Sequence, residues 1–304
     1  MYYQVADYLF EVIVPEGMDC RRLLPSFTDF ESHRIEDTPL LFRFDTTEAV
    51  TTSPKGKLLE ESVNDMGNVC IWQLDNGFRI ETGIIGSTHR HTMSTDHEFR
   101  HIAVAMHWDD PYIGQMLSAM LRIVFSQALL REDGIGIHAS AISYEGEAYL
   151  FLGKSGTGKS THAALWIANI PGCQLINDDN PAIRVIPGQG TFVYGTPWSG
   201  KTPCYRNVRY PLAAITRLQQ APHNSYRQLT DIEAFTAIAP SCAVITQNIA
   251  LYNNLCDRLV WVSENIVVSL LLCLPNKEAA TTALVEINKS RHLKQHKIKK
   301  RQRI

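Results

Sequence analysis

The sequence has no C-x-x-C pair, no internal repeat, no low-complexity segment ahead of Lys289 and no basic-then-apolar leader at its amino terminus. Each absence removes a class. Seven scattered cysteines, Cys20, Cys70, Cys173, Cys204, Cys242, Cys256 and Cys273, suit neither a disulfide framework nor a zinc ribbon and point to a reducing, cytoplasmic setting. The opening "MYYQVADYLFEVIVPEG" carries acids among alternating apolar residues and does not read as a secretion signal. Long lipid-like runs are scarce. The most apolar stretch, Tyr112 to Leu130, holds Gln115, Arg122 and Gln127 and reads as a buried amphipathic helix, so no membrane partner is expected. Acids are missing from Lys289 to Ile304, where eight Lys or Arg stand. Removing those eight from the chain's 29 leaves 21 bases against 31 acids elsewhere. The segment reads as a solvated basic tail, and nucleic acid is not the expected partner.

What is present is an ordinary globular composition, 45% hydrophobic and 20% charged over 304 residues, enough for one large or two unequal domains. Residues 1–110 read as a β-rich module: "YLFEVIV", "PLLFRFD", "NVCIWQLDNGFRIETGII" and "RHIAVAMHW" have strand character, with Asn76-Gly77 as a two-residue hairpin turn. Residues 111–288 read as a second domain that includes its leading helix, and 289–304 as the tail. Within the second domain, "GIGIHASAISYEGEAYLFLG" is two apolar strands joined at Glu145-Gly146, a connection that permits only an antiparallel hairpin.

That hairpin delivers the chemistry-bearing motif. Gly153, Lys154, Ser155, Gly156, Thr157, Gly158, Lys159 and Ser160, followed by Thr161, satisfy G-x-x-x-x-G-K-[ST] between a strand and a helix. Glycines turn successive N–H groups onto an anion, Lys159 reaches the outer phosphates and Ser160 offers an oxygen to Mg²⁺, so ATP and Mg²⁺ are the expected ligands. The short strand "CQLIN" then runs into Asp178 and Asp179, where a Mg²⁺ carboxylate is expected, although "DDNP" also suits a simple turn. His138 lies on the first hairpin strand, beside the one that feeds the loop. "GTPWSGKTPCYRNVR" gathers Lys201, Arg206 and Arg209 in a loop of the kind that closes over transferred phosphate. A competing motif, "HEFRH" from His97 to His101, matches the zinc-protease H-E-x-x-H but needs a helix, whereas strand-like "IAVAMHW" follows. With His89, His91 and His107 nearby, a strand-end histidine cluster is the expected reading.

The hairpin with "IHASAI", the loop "GKSGTGKST", the "DD" after a short strand, and "NVR" followed by "LAAITRL" resemble the catalytic domain of HPr kinase/phosphorylase, whose fold is shared with phosphoenolpyruvate carboxykinase. The resemblance covers roughly residues 134–218. It implies an α/β P-loop domain with a mixed sheet behind the β-rich module. It also implies β- and γ-phosphate binding at Gly153 to Ser160, His138 and Asp178 flanking the transferred group with Asp178 as base, and Asp179 joining Ser160 on the metal. Where that family has Glu after the loop serine this chain has Thr161, and the stretch before "NVR" is longer here. The resulting expectation is an ATP-dependent phosphotransferase acting on a hydroxyl of a protein, peptide or small molecule. Alternatives are a carboxykinase-like enzyme and a non-catalytic ATP-binding regulator. Homo-oligomerisation stays open.

Overall fold

The computed structural model describes residues 1–50, 56–64 and 67–301. It divides into two compact units, Met1–Glu132 with Val244–Tyr252, and Asp133–Ala243 with Asn253–Ile304.

In the first unit the alternating runs form β1 (Tyr2–Val5), β2 (Tyr8–Ile13), β3 (Glu31–Ser32), β4 (Arg43–Asp45), β5 (Lys57–Asn64), β6 (Gly67–Leu74), β7 (Gly77–Gly83), β8 (His91–Asp96) and β9 (His101–Ala105). They make one sheet in the order β3-β1-β2-β4-β9-β8-β7-β6-β5. Neighbours are antiparallel except for β4, which runs parallel to both β2 and β9. Phe10, Phe27, Phe42 and Phe44 are buried in its core, with Phe10 stacked on Phe42 at 4.5 Å between ring centroids.

The β6–β7 hairpin forms where its turn residues announced it, shifted by one position. Leu74 pairs with Gly77, so Asp75-Asn76 make the turn and Gly77 opens β7. Gly77 is required there by close approach: a Cβ would stand 1.8 Å from the Thr95 carbonyl oxygen.

Beside a short α1 (Cys20–Leu23), the long α2 (Ile113–Arg131) belongs to this first unit, whereas the sequence reading grouped it with the second domain. The reason is its packing: Phe125 meets Phe10 at 6.2 Å. Helix α2 has the length and composition to cross a membrane, but 67% of that window is buried inside the protein. Its polar Gln127 is equally buried and accepts a hydrogen bond from the Ile245 N–H at 2.9 Å, which ties the returning segment 244–252 to this unit.

The second unit is a mixed sheet with helices. Its strands are β10 (Gly134–Gly136), β11 (Ala139–Tyr144), β12 (Glu147–Leu152), β13 (Gln174–Asp179), β14 (Ala182–Ile186), β15 (Gly190–Tyr194), β16 (Arg209–Gln220), β17 (Ser225–Leu229) and β18 (Val267–Cys273). The path is β10-β14-β15-β16-β12-β11-β13, with β18 on β16 and β17 on β18. The predicted hairpin is β11–β12, antiparallel, and its turn residues Glu145 and Gly146 both have positive φ, 50° and 77°. Helices α3 (Lys159–Asn169), α4 (Asp231–Ile238), α5 (Ile249–Asn265) and α6 (Lys277–Arg301) complete the chain.

The core here centres on Trp166 of α3, whose ring lies 5.2 Å from Tyr149 and 5.4 Å from Phe151 of β12, and it includes Ala280, Ala283 and Ile287 of α6. The basic tail is not separate up to Arg301: it continues α6, and Lys294 donates to the Ser263 and Ile266 carbonyls at the end of α5. Residues 302–304 lie outside the described residues.

Candidate phosphate-transfer site

Strand direction brings the site together. β11 is antiparallel to both β12 and β13, and β16 is parallel to β12. The loop after β12, the acids ending β13, the residue preceding β11 and the end of β16 therefore share one edge of the sheet.

The loop has the backbone an anion cradle needs. Gly156 and Gly158 adopt φ of +77° and +103°, conformations costly for side-chain-bearing residues, and Gly158 is the N-cap of α3. Lys154, Ser155, Ser160 and Thr161 are exposed, while Lys159 is buried and donates to the Gly153 carbonyl at 3.2 Å. Burial lowers the Lys159 pKa, opposed by Asp179 and Asp178, with Arg217 adding to the lowering. Thr157 folds the loop on itself through Oγ1 and N–H, both to the Lys154 carbonyl. At the end of β16, the Gln220 amide donates to the Gly156 and Thr157 carbonyls at 3.3 and 3.4 Å.

The paired acids are the last residues of β13 rather than a turn after it, in register with Ser140 and Ala139 of β11. Successive strand residues face opposite sides. Asp178, 2% exposed, accepts a hydrogen bond from Ser140 Oγ at 2.6 Å, and its Oδ2 has no partner among the described residues. Asp179 sits in half-buried surroundings. Its Oδ1 is 2.9 Å from His138 Nε2, and its Oδ2 accepts from the Asn180 amide. His138 itself lies in the break between β10 and β11 instead of inside a strand, anchored by its N–H to the Ser241 carbonyl.

A fully buried Asn177 holds this corner. Its Oδ1 accepts the N–H groups of Asp179 and Asn180, and its amide donates to the Thr196 and Trp198 carbonyls. The Gly200 N–H donates to the Asp178 carbonyl at 2.7 Å, so the 195–208 loop passes beside the acids with exposed Lys201 following directly.

The other two cations expected of that loop are elsewhere. Arg206 donates to the Leu175 carbonyl and the Gln174 side chain at the start of β13, about 10 Å of strand from Asp178. Arg209 opens β16 and lies over Phe192 at 5.4 Å, roughly 35 Å of strand before Gln220. Both guanidiniums are engaged in holding structure. Arg217, unmarked by any sequence motif, is the cation that influences Lys159, and it also donates to the Ala237 carbonyl. Asn177, Gln220 and Ser140 likewise left no signal in the sequence, being ordinary strand residues whose partners are distant in the chain.

The residues fit Mg²⁺ by donor type. Ser160 and Asp179 supply hard oxygens beside the loop, and Mg²⁺ needs few protein ligands when phosphates and water complete its shell. The H-E-x-x-H pair does not stand on a helix: His97 follows β8, His101 opens β9, and Phe99 between them has φ of 55°.

No protein-family model matches the chain, and no curated protein sequence matches it. Among solved structures it is similar to the Hpr(Ser) kinase/phosphatase from Coxiella burnetii, at 13% identity, covering 55% of this chain and 96% of that one, with a TM-score of 0.32.

Proposed function

We propose that the protein is an Mg-ATP-dependent phosphotransferase that hands the γ-phosphoryl group to a hydroxyl. The observation that carries this reading is the convergence at one sheet edge of the Gly153–Ser160 loop, the His138–Asp179 pair and an Asp178 with an unpartnered carboxylate oxygen.

Loop N–H groups and the N-terminus of α3 hold the phosphates, and Lys159 turns from the Gly153 carbonyl to the outer oxygens. Ser160 and Asp179 would hold Mg²⁺, which would supply charge neutralisation to the phosphates. Asp178 Oδ2 takes the proton of the acceptor hydroxyl as the new O–P bond forms and the bridge to ADP breaks. His138, oriented by Asp179, lines the transferring group. Lys201 and Arg217 add positive potential where charge spreads over the equatorial oxygens. The acceptor is a hydroxyl-bearing protein, peptide or small molecule.

Incubation of the full chain with γ-labelled ATP and extract of its own host checks this. Label on an acceptor is expected, falling at least about 100-fold in Lys159→Ala and Asp178→Asn, the size of effect seen when a charge-stabilising or proton-transferring group is removed. Thermal stabilisation by ATP with neither ADP nor labelled product would replace the kinase by a nucleotide-sensing regulator.

A further inference from the structure

Asp178 is a carboxylate removed from water, and its two oxygens are treated differently. One accepts a short hydrogen bond, 2.6 Å from the Ser140 hydroxyl, in the range of charge-assisted O–H···O⁻ bonds. The other has no hydrogen-bond partner among the described residues. A buried carboxylate oxygen without a protein partner costs free energy and is available to accept a hydrogen bond.

Ser140 stands directly opposite both Phe151 of β12 and Asp178 of β13. Directly opposed strand residues share a face, so all three lie on the side where Phe151 packs against Trp166 of α3.

We infer that Ser140 is a positioning residue for the transfer reaction. Its hydroxyl occupies Asp178 Oδ1, locks the carboxylate's rotation and commits Oδ2 to the incoming hydroxyl. This rests on the phosphotransferase reading above. The chemistry leaves Ser140 unchanged: the proton moves from the acceptor to Oδ2, and Ser140 keeps its own.

The test follows ADP release from Mg-ATP by the full chain, with water in the place of the acceptor, in wild type, Ser140→Ala and Ser140→Thr. The expected result is a kcat about tenfold lower in Ser140→Ala with the ATP KM within about twofold of wild type, because the loop that holds ATP is untouched. Ser140→Thr, which keeps the hydroxyl, restores kcat to within about threefold. If Ser140→Ala is too unstable to assay, Ser140→Cys keeps the volume with a much weaker donor and is expected to show the same kcat loss. Wild-type kcat in Ser140→Ala or Ser140→Cys, or a loss shared equally by Ser140→Thr, overturns the inference while leaving the kinase reading intact. A wild-type chain that neither releases ADP nor labels an acceptor overturns both.

Discussion

Each unit holds a closely spaced histidine–aspartate pair. In the first unit His91 Nε2 lies 3.0 Å from Asp110 Oδ2; in the second His138 Nε2 lies 2.9 Å from Asp179 Oδ1. The first pair is fully buried and each of its atoms is spoken for. His91 Nδ1 accepts the His107 N–H, so the neutral ring carries its proton on Nε2 and donates a hydrogen bond from it to Asp110. Asp110 also accepts the Tyr112 N–H and the Ser87 hydroxyl. Burial lowers the His91 pKa despite the carboxylate, and the Tyr112 N–H leads the lowering of Asp110. The second pair has side chains 45% and 31% exposed and stands at the same end of the sheet as the glycine-rich loop of residues 153–160. Distance between ring and carboxylate does not distinguish the two. Saturation of hydrogen-bond capacity and access do: the first pair is closed off and satisfied, the second is open to solvent.

The largest effects expected from this comparison come from exchanging the two histidines' fates. His91→Ala leaves Asp110 buried without one of its three donors and is expected to cost about 3–5 kcal/mol of stability, measured by urea unfolding, with turnover per folded molecule unchanged. His138→Ala is expected to leave stability within about 1 kcal/mol and to lower turnover about 100-fold or more, the scale of a proton-transfer or orienting group. Equal loss of stability in both variants would break the distinction.

A third histidine sharpens the comparison because it has no carboxylate at all. His162 accepts the Trp166 indole N–H at 3.0 Å, and burial pushes its pKa down to about 4. The unfolded chain, with an ordinary histidine pKa near 6.5, binds more protons in the interval between the two values. The neutral ring's contribution is therefore complete above about pH 6.5 and is lost as pH falls toward about 4, worth up to about 3 kcal/mol. His162→Gln retains an acceptor and cannot titrate; unfolding free energies at pH 7 and pH 4.5 are expected to differ less in the variant than in wild type.

The smallest effect is at the loop's support. Gln220→Ala removes two long hydrogen bonds to carbonyls of the loop, so ATP affinity, read by calorimetry, is expected to fall about three- to tenfold with no change in fold. Unchanged affinity would mean that the glycines hold the cradle alone.

The loop, the hairpin that feeds it and the acids after "CQLIN" were legible in the residues because each depends on neighbours in the chain: positive φ at glycine, a two-residue connection, a strand entering a helix. The fate of the cations was not legible. Lys201, Arg206 and Arg209 share one loop in the sequence, yet Arg206 holds the start of β13 and Arg209 covers Phe192, because β13 and β15 supply a carbonyl and a ring close by. The place of α2 was equally hidden, since an apolar helical face does not announce which sheet it covers.

Local stereochemistry, then, determined on its own that this chain carries a glycine-rich turn between a strand and a helix, with two acids at the end of a short strand. Tertiary structure alone decided that these meet: the order β12-β11-β13 sets His138 against Asp179 across 41 positions of sequence and gives Asp178 its serine. Backbone torsions are limited by sterics within a few residues, whereas strand partners are chosen by burial and pairing summed over the whole sheet.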